Sequence, residues 1–482
     1  MSEEYVESYV ILLPISLIVL GVFLISLFKK GENVGKKNPR STMAVNGCGY
    51  RTEERIQKLR CSVKNYDWGR IGLDSEVYRL SRANSGAKID HNKPYAEFWM
   101  GTHESGPSRV MRKAKILANG NCFDSNWTIC DLGGPNLKSW IERNPHVLGD
   151  KVRKKWGSDL PFLFKVLSVA KPLSIQAHPC KELAKKLHMQ DPNVYRDANH
   201  KPEMALAITE FEALCGFVGL EDLQMVLKNV PEISQLVGSA LVDKVSNITA
   251  QDSEEDVKAA LKQLFTQIMS ASERAVADVL SQLTGRLRLK DNLTSKEKLV
   301  LRLEEQYPHD VGVLAAFFMN YVKLNPGEAL CIGANDLHAY VSGDCVECMA
   351  TSDNVVRAGL TPKKRDVETL CNMLTYKQGH PDILRGFNVE GSGGCIKRYR
   401  PPFEEFEVDH CHLFKGKMTT FPAMAGPSLF LVTEGMGTIR MGFYMEKISA
   451  GDVLFAPANT KLSVQSETRL ELYRAGVNTK YL

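Results

Sequence analysis

LPFLFKVLSVAKPLSIQAHP, residues 160–179, is rich in Phe, Val, Leu and Ile and is interrupted once, by Lys171-Pro172. That composition predicts two strands of a buried sheet joined by a turn. Its end, SIQAHP, puts Ser174, Gln176 and His178 at alternate positions. Side chains two apart on a strand share a face, so these three would point into one cavity. Two distant segments carry ligands of compatible chemistry. In DANHKPEM (197–204), Lys201-Pro202 suits an edge or turn and leaves Glu203 at a strand entrance. In PGEALCIGANDLHAY (326–340), a strand from Glu328 to Ile332 ends in a turn that presents His338. Two His, one Glu and one amide oxygen form a set that zinc accepts, with an open position for water or substrate; manganese and iron suit the same ligands.

Working outward, strands and turns begin near Cys61, with SVKNYDWGRIG and YAEFWMGTH. Near residue 219 the pattern turns helical. In LEDLQMVLKNV, EEDVKAALKQLFTQIMSASERAVADVLSQL and SKEKLVLRLEEQY, apolar residues recur three and four apart, and Ser295 with Lys298 nearby marks a helix start. VGVLAAFFMNYVKLNPGEALCIG (311–333) returns to strand-rich character, and FLVTEGMGTIRMG and GDVLFAPANTKLSV read as short alternating strands of a small β-sandwich. The expected architecture is mainly β with a helical insertion. Its segments are an apolar front (1–30), a basic linker (31–60), a first catalytic part (61–218), the helical insertion (219–309), a second catalytic part (310–375) and a carboxy-terminal β region (376–482).

A cupin barrel combines the three ligand segments. Its first metal strand carries a His-x-His-like pair, here Gln176-x-His178, and its second motif places a His eleven residues after a turn glycine, here Gly327 to His338. Aligning Gly451–Pro457 with Gly327–Gly333 puts Leu462 where His338 stands, so a second barrel would lack the ligand and only one metal site is expected.

From about Cys61 to Leu482 the chain resembles the type I phosphomannose isomerases, zinc-dependent cupin enzymes. The resemblance rests on NYDWG (65–69), YAEFWMGTH (95–103), SIQAHP (174–179), DANHKPEM (197–204) and, above all, HAYVSGDCVECMATSDNVVRAGLTPKKRDV (338–367). It implies one zinc per chain on Gln176, His178, Glu203 and His338, an active-site arginine at Arg357, and phosphate-side polar residues at Ser174, Lys201 and Lys363. It also implies interconversion of mannose 6-phosphate and fructose 6-phosphate through a cis-enediol(ate), feeding GDP-mannose synthesis. A metal held by one carboxylate keeps positive charge for polarising O1 and O2. Tyr340 and Asp353 are expected to shape the pocket and His200 to orient its loop. Glu182, four residues after His178, is the rival fourth ligand. Glu347, Lys201 and a metal-bound water are the alternatives for the general base. Another sugar phosphate as substrate, or an inactive sugar-binding protein, are the competing readings.

Composition bounds the rest. The 482 residues are 44% apolar and 24% charged, enough for a sizeable core, and the net charge is +5. Much of the positive excess lies in residues 29–60, so the main body is nearly neutral and gives no reason to expect nucleic acid as a partner. Twelve scattered cysteines read as reduced thiols of a cytosolic body, and the single CxxC, Cys345 to Cys348, lacks the second pair a zinc ribbon needs. Residues 8–28 contain no charge over 21 positions, long enough for a single-pass membrane helix, and the basic residues behind them predict a cytosolic body. The sequons at Asn126, Asn247 and Asn292 would then be idle, and a start at Met43 would release a soluble form.

Overall fold

The structure, a computed structural model, describes residues 54–85, 90–111, 113–115, 129–131, 133–249 and 251–482. The apolar run 8–28, Met43 and the Asn126 sequon lie outside these. Among the described residues no helix is long and apolar enough to cross a membrane.

The larger sheet is organised by one 13-residue strand, His338–Ala350. Its second half pairs antiparallel with Phe162–Val169 on one edge and Glu203–Ala207 on the other. Its first residues pair instead with Phe211–Phe217 and with Gln176. The exchange of partners falls near Gly343, where φ is 114° and a Cβ would lie 2.4 Å from the Glu210 carbonyl oxygen. Only glycine fits there. Every residue of Phe162–Val169 is buried, as expected for a strand covered on both faces.

The two strands expected within 160–179 are present, as Phe162–Val169 and Ile175–Ala177, yet they are not sheet neighbours. After Lys171-Pro172 the chain crosses to another part of the sheet, and Ile175–Ala177 pairs with His338 and with Val356–Gly359. Gln176 thereby stands in register with both His338 and Arg357. Glu203 opens its strand, opposite Ile332 and Met349.

Between Leu220 and Gln306 the described chain is helical: Leu220–Asn229, Pro231–Val237, Ser239–Ser246, Glu254–Met269, Glu273–Arg288 and Ser295–Gln306. Their apolar stripes bury Leu261, Phe265, Leu280, Leu283 and Leu303 in one cluster with Val313 and Phe318. Each such side chain contributes roughly 1.5–3 kcal/mol. The last helix does begin at Ser295, but its cap is Thr294, in a reciprocal capping box with Glu297.

The run 311–318, expected to be strand-like, is helical as Val311–Ala315 and Ala316–Phe318, and the strand starts at Met319. All eight residues are buried, so no amphipathic period distinguishes helix from strand there.

The carboxy-terminal strands form two sheets. Glu407–Leu413, Leu470–Gly476, Ser428–Glu434 and Val453–Ala456 are neighbours in one; Met418–Phe421, Leu462–Ser466, Met436–Met441 and Tyr444–Ser449 make the other. Phe421, Phe430, Ile439, Leu454, Leu462 and Leu472 share one core cluster. Leu462 therefore stands in apolar core, at the position aligned with His338. Gln57–Arg60 joins the first of these sheets through Val453–Phe455, so regular structure begins ahead of Cys61, inside the stretch expected to be linker.

Candidate metal centre and its cavity

His178, Glu203 and His338 are buried and offer three ligand atoms that lie within 4.8 Å of one another. Three separate backbone events bring them together. His178 follows the short strand Ile175–Ala177, Glu203 opens its strand after Pro202, and His338 opens the long one.

Each imidazole is held through Nδ1, which lies 2.7 Å from the Asn354 carbonyl in His178 and 3.0 Å from the Asp336 carbonyl in His338. A carbonyl only accepts, so Nδ1 carries the proton and Nε2 keeps a lone pair, the arrangement of a metal-ligating histidine. The two Nε2 atoms stand 3.3 and 3.4 Å from different oxygens of Glu203. Both Nε2 atoms and Glu203 Oε2 are buried without a hydrogen-bond partner. Two lone pairs facing an anion in a buried site call for a cation between them, so the residues present fit a divalent metal.

The electrostatics agree. Burial, reinforced by Lys201, pushes the His178 imidazolium down to about 4, so the ring is neutral. Burial alone would raise Glu203, but the Lys201 ammonium outweighs it and holds the carboxyl well below the usual range. Lys201 Nζ lies 3.1 Å from Glu203 Oε1.

Ser174, Gln176, Lys201, Glu203, Tyr340, Asp353, Arg357 and Lys363 all line one cavity of about 1050 Å³. Gln176 accepts a hydrogen bond from Ser174 Oγ at 3.2 Å. The Tyr340 hydroxyl is buried without a partner. Arg357 is half-buried, makes no ion pair among the described residues, and is lowered by desolvation alone. Lys363 is exposed at the rim. His200 points elsewhere: its Nε2 meets Glu405 Oε1 at 2.6 Å. Glu182 is exposed on the helix Lys181–Gln190 and does not join the metal group. Cys345 and Cys348 are buried free thiols three positions apart on one strand, which turns them to opposite faces.

Sequence reasoning named Glu347 but missed the neighbours that make it part of the cavity floor. Glu347, Lys165 and Trp99 stand side by side across three strands. Lys165 Nζ lies 2.8 Å from Glu347 Oε2 and 3.4 Å from Glu97 Oε2, and the Trp99 indole donates to Glu97. Burial opposes the Lys165 charge, but Glu347 and Glu97 overcome it and keep the ammonium protonated. Burial, with Glu203 and Glu97 nearby, raises Glu347. The available signal was a lone lysine in the apolar run FLFKVLSV. From above, His103 Nε2 meets Asp353 Oδ1 at 3.3 Å.

Comparison with known proteins matches this geometry to a family. The family model for the phosphomannose isomerase type I catalytic domain matches residues 56–220, and that for the helical insertion domain matches residues 236–319. Mannose-6-phosphate isomerase 2 of Arabidopsis thaliana is 56% identical over 89% of this chain and 95% of its own. Mannose-6-phosphate isomerase 1 of the same plant is 54% identical over 92% and 98%. Among solved structures, a mannose 6-phosphate isomerase bound with zinc and yttrium superposes with a TM-score of 0.71 at 25% identity, covering 88% of this chain and 99% of that one. With its helical segment set into a mainly β chain and its buried His–Glu–His group, the chain belongs to the type I phosphomannose isomerase family.

Proposed function

We propose that the protein is an aldose–ketose isomerase interconverting mannose 6-phosphate and fructose 6-phosphate, on a cupin-type barrel that holds one zinc through Gln176, His178, Glu203 and His338. The observation that carries it is the pair of buried Nε2 lone pairs turned on one ionised carboxylate in a cavity that also presents Lys201, Arg357 and Lys363. When bound, the metal supplies Lewis acidity toward the sugar oxygens on which charge develops.

The side chains do the remaining work. Arg357 offers a permanently protonated planar fork that no carboxylate among the described residues neutralises, suited to an enediolate or phosphate oxygen. Lys363 at the rim and Ser174 on the wall fit the phosphate end. Isomerisation moves a proton between C2 and C1, and Lys201 and Glu347 are two cavity groups able to exchange one. Lys165, protonated beneath Glu347, fixes that carboxylate's position. Tyr340 offers an unpaired hydroxyl to a sugar oxygen.

In this reading the mannose 6-phosphate formed supplies GDP-mannose synthesis. Residues 8–28 act as a single-pass anchor with the body on the cytosolic side, which membrane fractionation and mass spectrometry of the native amino terminus would test.

The deciding experiment pairs metal analysis of the full chain with isomerase assays on mannose 6-phosphate and glucose 6-phosphate. Turnover of mannose 6-phosphate that disappears on chelation and returns with zinc is expected. Preference for glucose 6-phosphate, or undiminished turnover without metal, would overturn the proposal.

A further inference from the structure

Just past the last long helix, within the stretch 236–319 that matches the helical insertion domain, a carboxylate reaches across to another part of the chain. Asp310 accepts three backbone N–H groups: Gly312 at 2.6 Å and Leu360 at 2.7 Å on Oδ1, and Thr361 at 3.1 Å on Oδ2. The first bond caps the short helix Val311–Ala315. The other two hold a different part of the chain, the turn that follows the strand Val356–Gly359.

That turn is demanding. Leu360 has a φ of 53°, a left-handed conformation unusual for a branched side chain. It lies against the start of the helix backbone to backbone, since a Cβ on Gly359 would sit 2.4 Å from Gly312 Cα. No side chain separates the two segments, so the Asp310 carboxylate fixes the turn at close range.

The same turn is a wall of the cavity. Arg357, Leu360, Thr361, Pro362 and Lys363 all line it, as does Asp310 itself. The two N–H groups that Asp310 holds therefore lie between the two cations of this segment in chain order, Arg357 before them and Lys363 after.

We propose that Asp310 is a positioning residue for the anionic end of the substrate: by clamping the Leu360–Thr361 turn it sets where Arg357 and Lys363 present their charges. This rests on the isomerase reading above and adds that the helical segment takes part in substrate recognition.

A cap-only role makes a different prediction, and two substitutions separate them. Asp310→Ser keeps a hydroxyl able to cap Gly312 but loses the second oxygen and the reach to the turn. Asp310→Asn keeps the size and one acceptor. In both full-length variants kcat/KM for mannose 6-phosphate should fall at least about tenfold, the worth of a hydrogen bond to a charged group, with KM raised and metal content unchanged. Calorimetric titration of the same proteins with inorganic phosphate should show a similar weakening, and this arm decides the matter even if the wild type fails to isomerise mannose 6-phosphate. Unchanged kcat/KM and phosphate affinity in variants that melt at a lower temperature would overturn the proposal. Loss of a cooperative melting transition in both would overturn it too, by placing Asp310 in the fold alone.

Discussion

His178 and His338 face each other with ring centroids 5.0 Å apart, each pinned through Nδ1 to a backbone carbonyl and each turning Nε2 toward a different oxygen of Glu203. Neither ring has freedom to find another partner. The carbonyls of Asn354 and Asp336 thus fix both rings in the orientation that a shared metal would need.

That preorganisation makes ligand replacement costly. His178→Asn and His338→Asn should each lower metal affinity by about 100-fold or more and abolish chelator-sensitive turnover, because outer-shell changes alone commonly cost 10–100-fold. Metal content after dialysis against a weak chelator is the measurement. A full complement of metal in either variant would remove that histidine from the ligand set.

Arg357 sits in the cavity without a carboxylate partner among the described residues, so its charge is available to substrate. Arg357→Ala should lower kcat/KM by about 10²–10³-fold, the range seen when one preorganised transition-state donor is removed, with metal content unchanged. Arg357→Lys should recover little, because an ammonium lacks the planar fork. Near-normal turnover of Arg357→Ala would exclude the arginine from the chemistry.

What the sequence made legible was local. The three-and-four spacing in 254–283 marks the helices, and Glu203 and His338 announce themselves at strand starts beside Pro202 and after the Gly333–Leu337 turn. What it hid depends on register between distant segments. Lys165 meets Glu347 across 182 positions, and nothing near either residue names the other. Lys58 meets Asp452 across 394, so the strand at Gln57–Arg60 looked like linker. The buried helix at Val311–Ala315 failed for another reason: with water on no side, its apolar residues carry no period.

The Lys165–Glu347 pair can be tested through stability. Removing one partner strands a buried charge, so Lys165→Met should destabilise the protein by about 3–5 kcal/mol. Neutralising both partners, as Lys165→Met with Glu347→Gln, should be less damaging than the sum of the single changes, since the Glu347 charge is no longer left without its ammonium while Glu97 keeps the bond from Trp99. Denaturant titration of the four proteins measures this coupling. Additive losses would mean that Glu97 alone satisfies Lys165.

A second buried charge cluster, in the carboxy-terminal sheet, predicts how stability responds to acid. Asp409 is fully buried and accepts from Arg398 Nε at 2.7 Å and from Arg474 Nη1 at 2.7 Å, while Arg474 Nε donates to Ser428 Oγ. Burial by itself would raise the carboxyl, but the two guanidiniums prevail and hold it below its ordinary value. A carboxyl depressed on folding adds stability that is complete above its unfolded pKa of about 3.9 and fades as pH falls through the lower folded value. Asp409→Asn should therefore melt well below the wild type at pH 7, by the equivalent of about 3–5 kcal/mol for a broken buried pair. Below about pH 4 the two melting curves should begin to converge, because the unfolded chain then binds a proton that the folded Asp409 still resists, and they should meet only once the pH has passed the lower folded value. Melting temperatures recorded from pH 7 down to the acid limit test both halves; a gap that stays constant across that range would show that Asp409 stabilises the sheet through shape and not through charge.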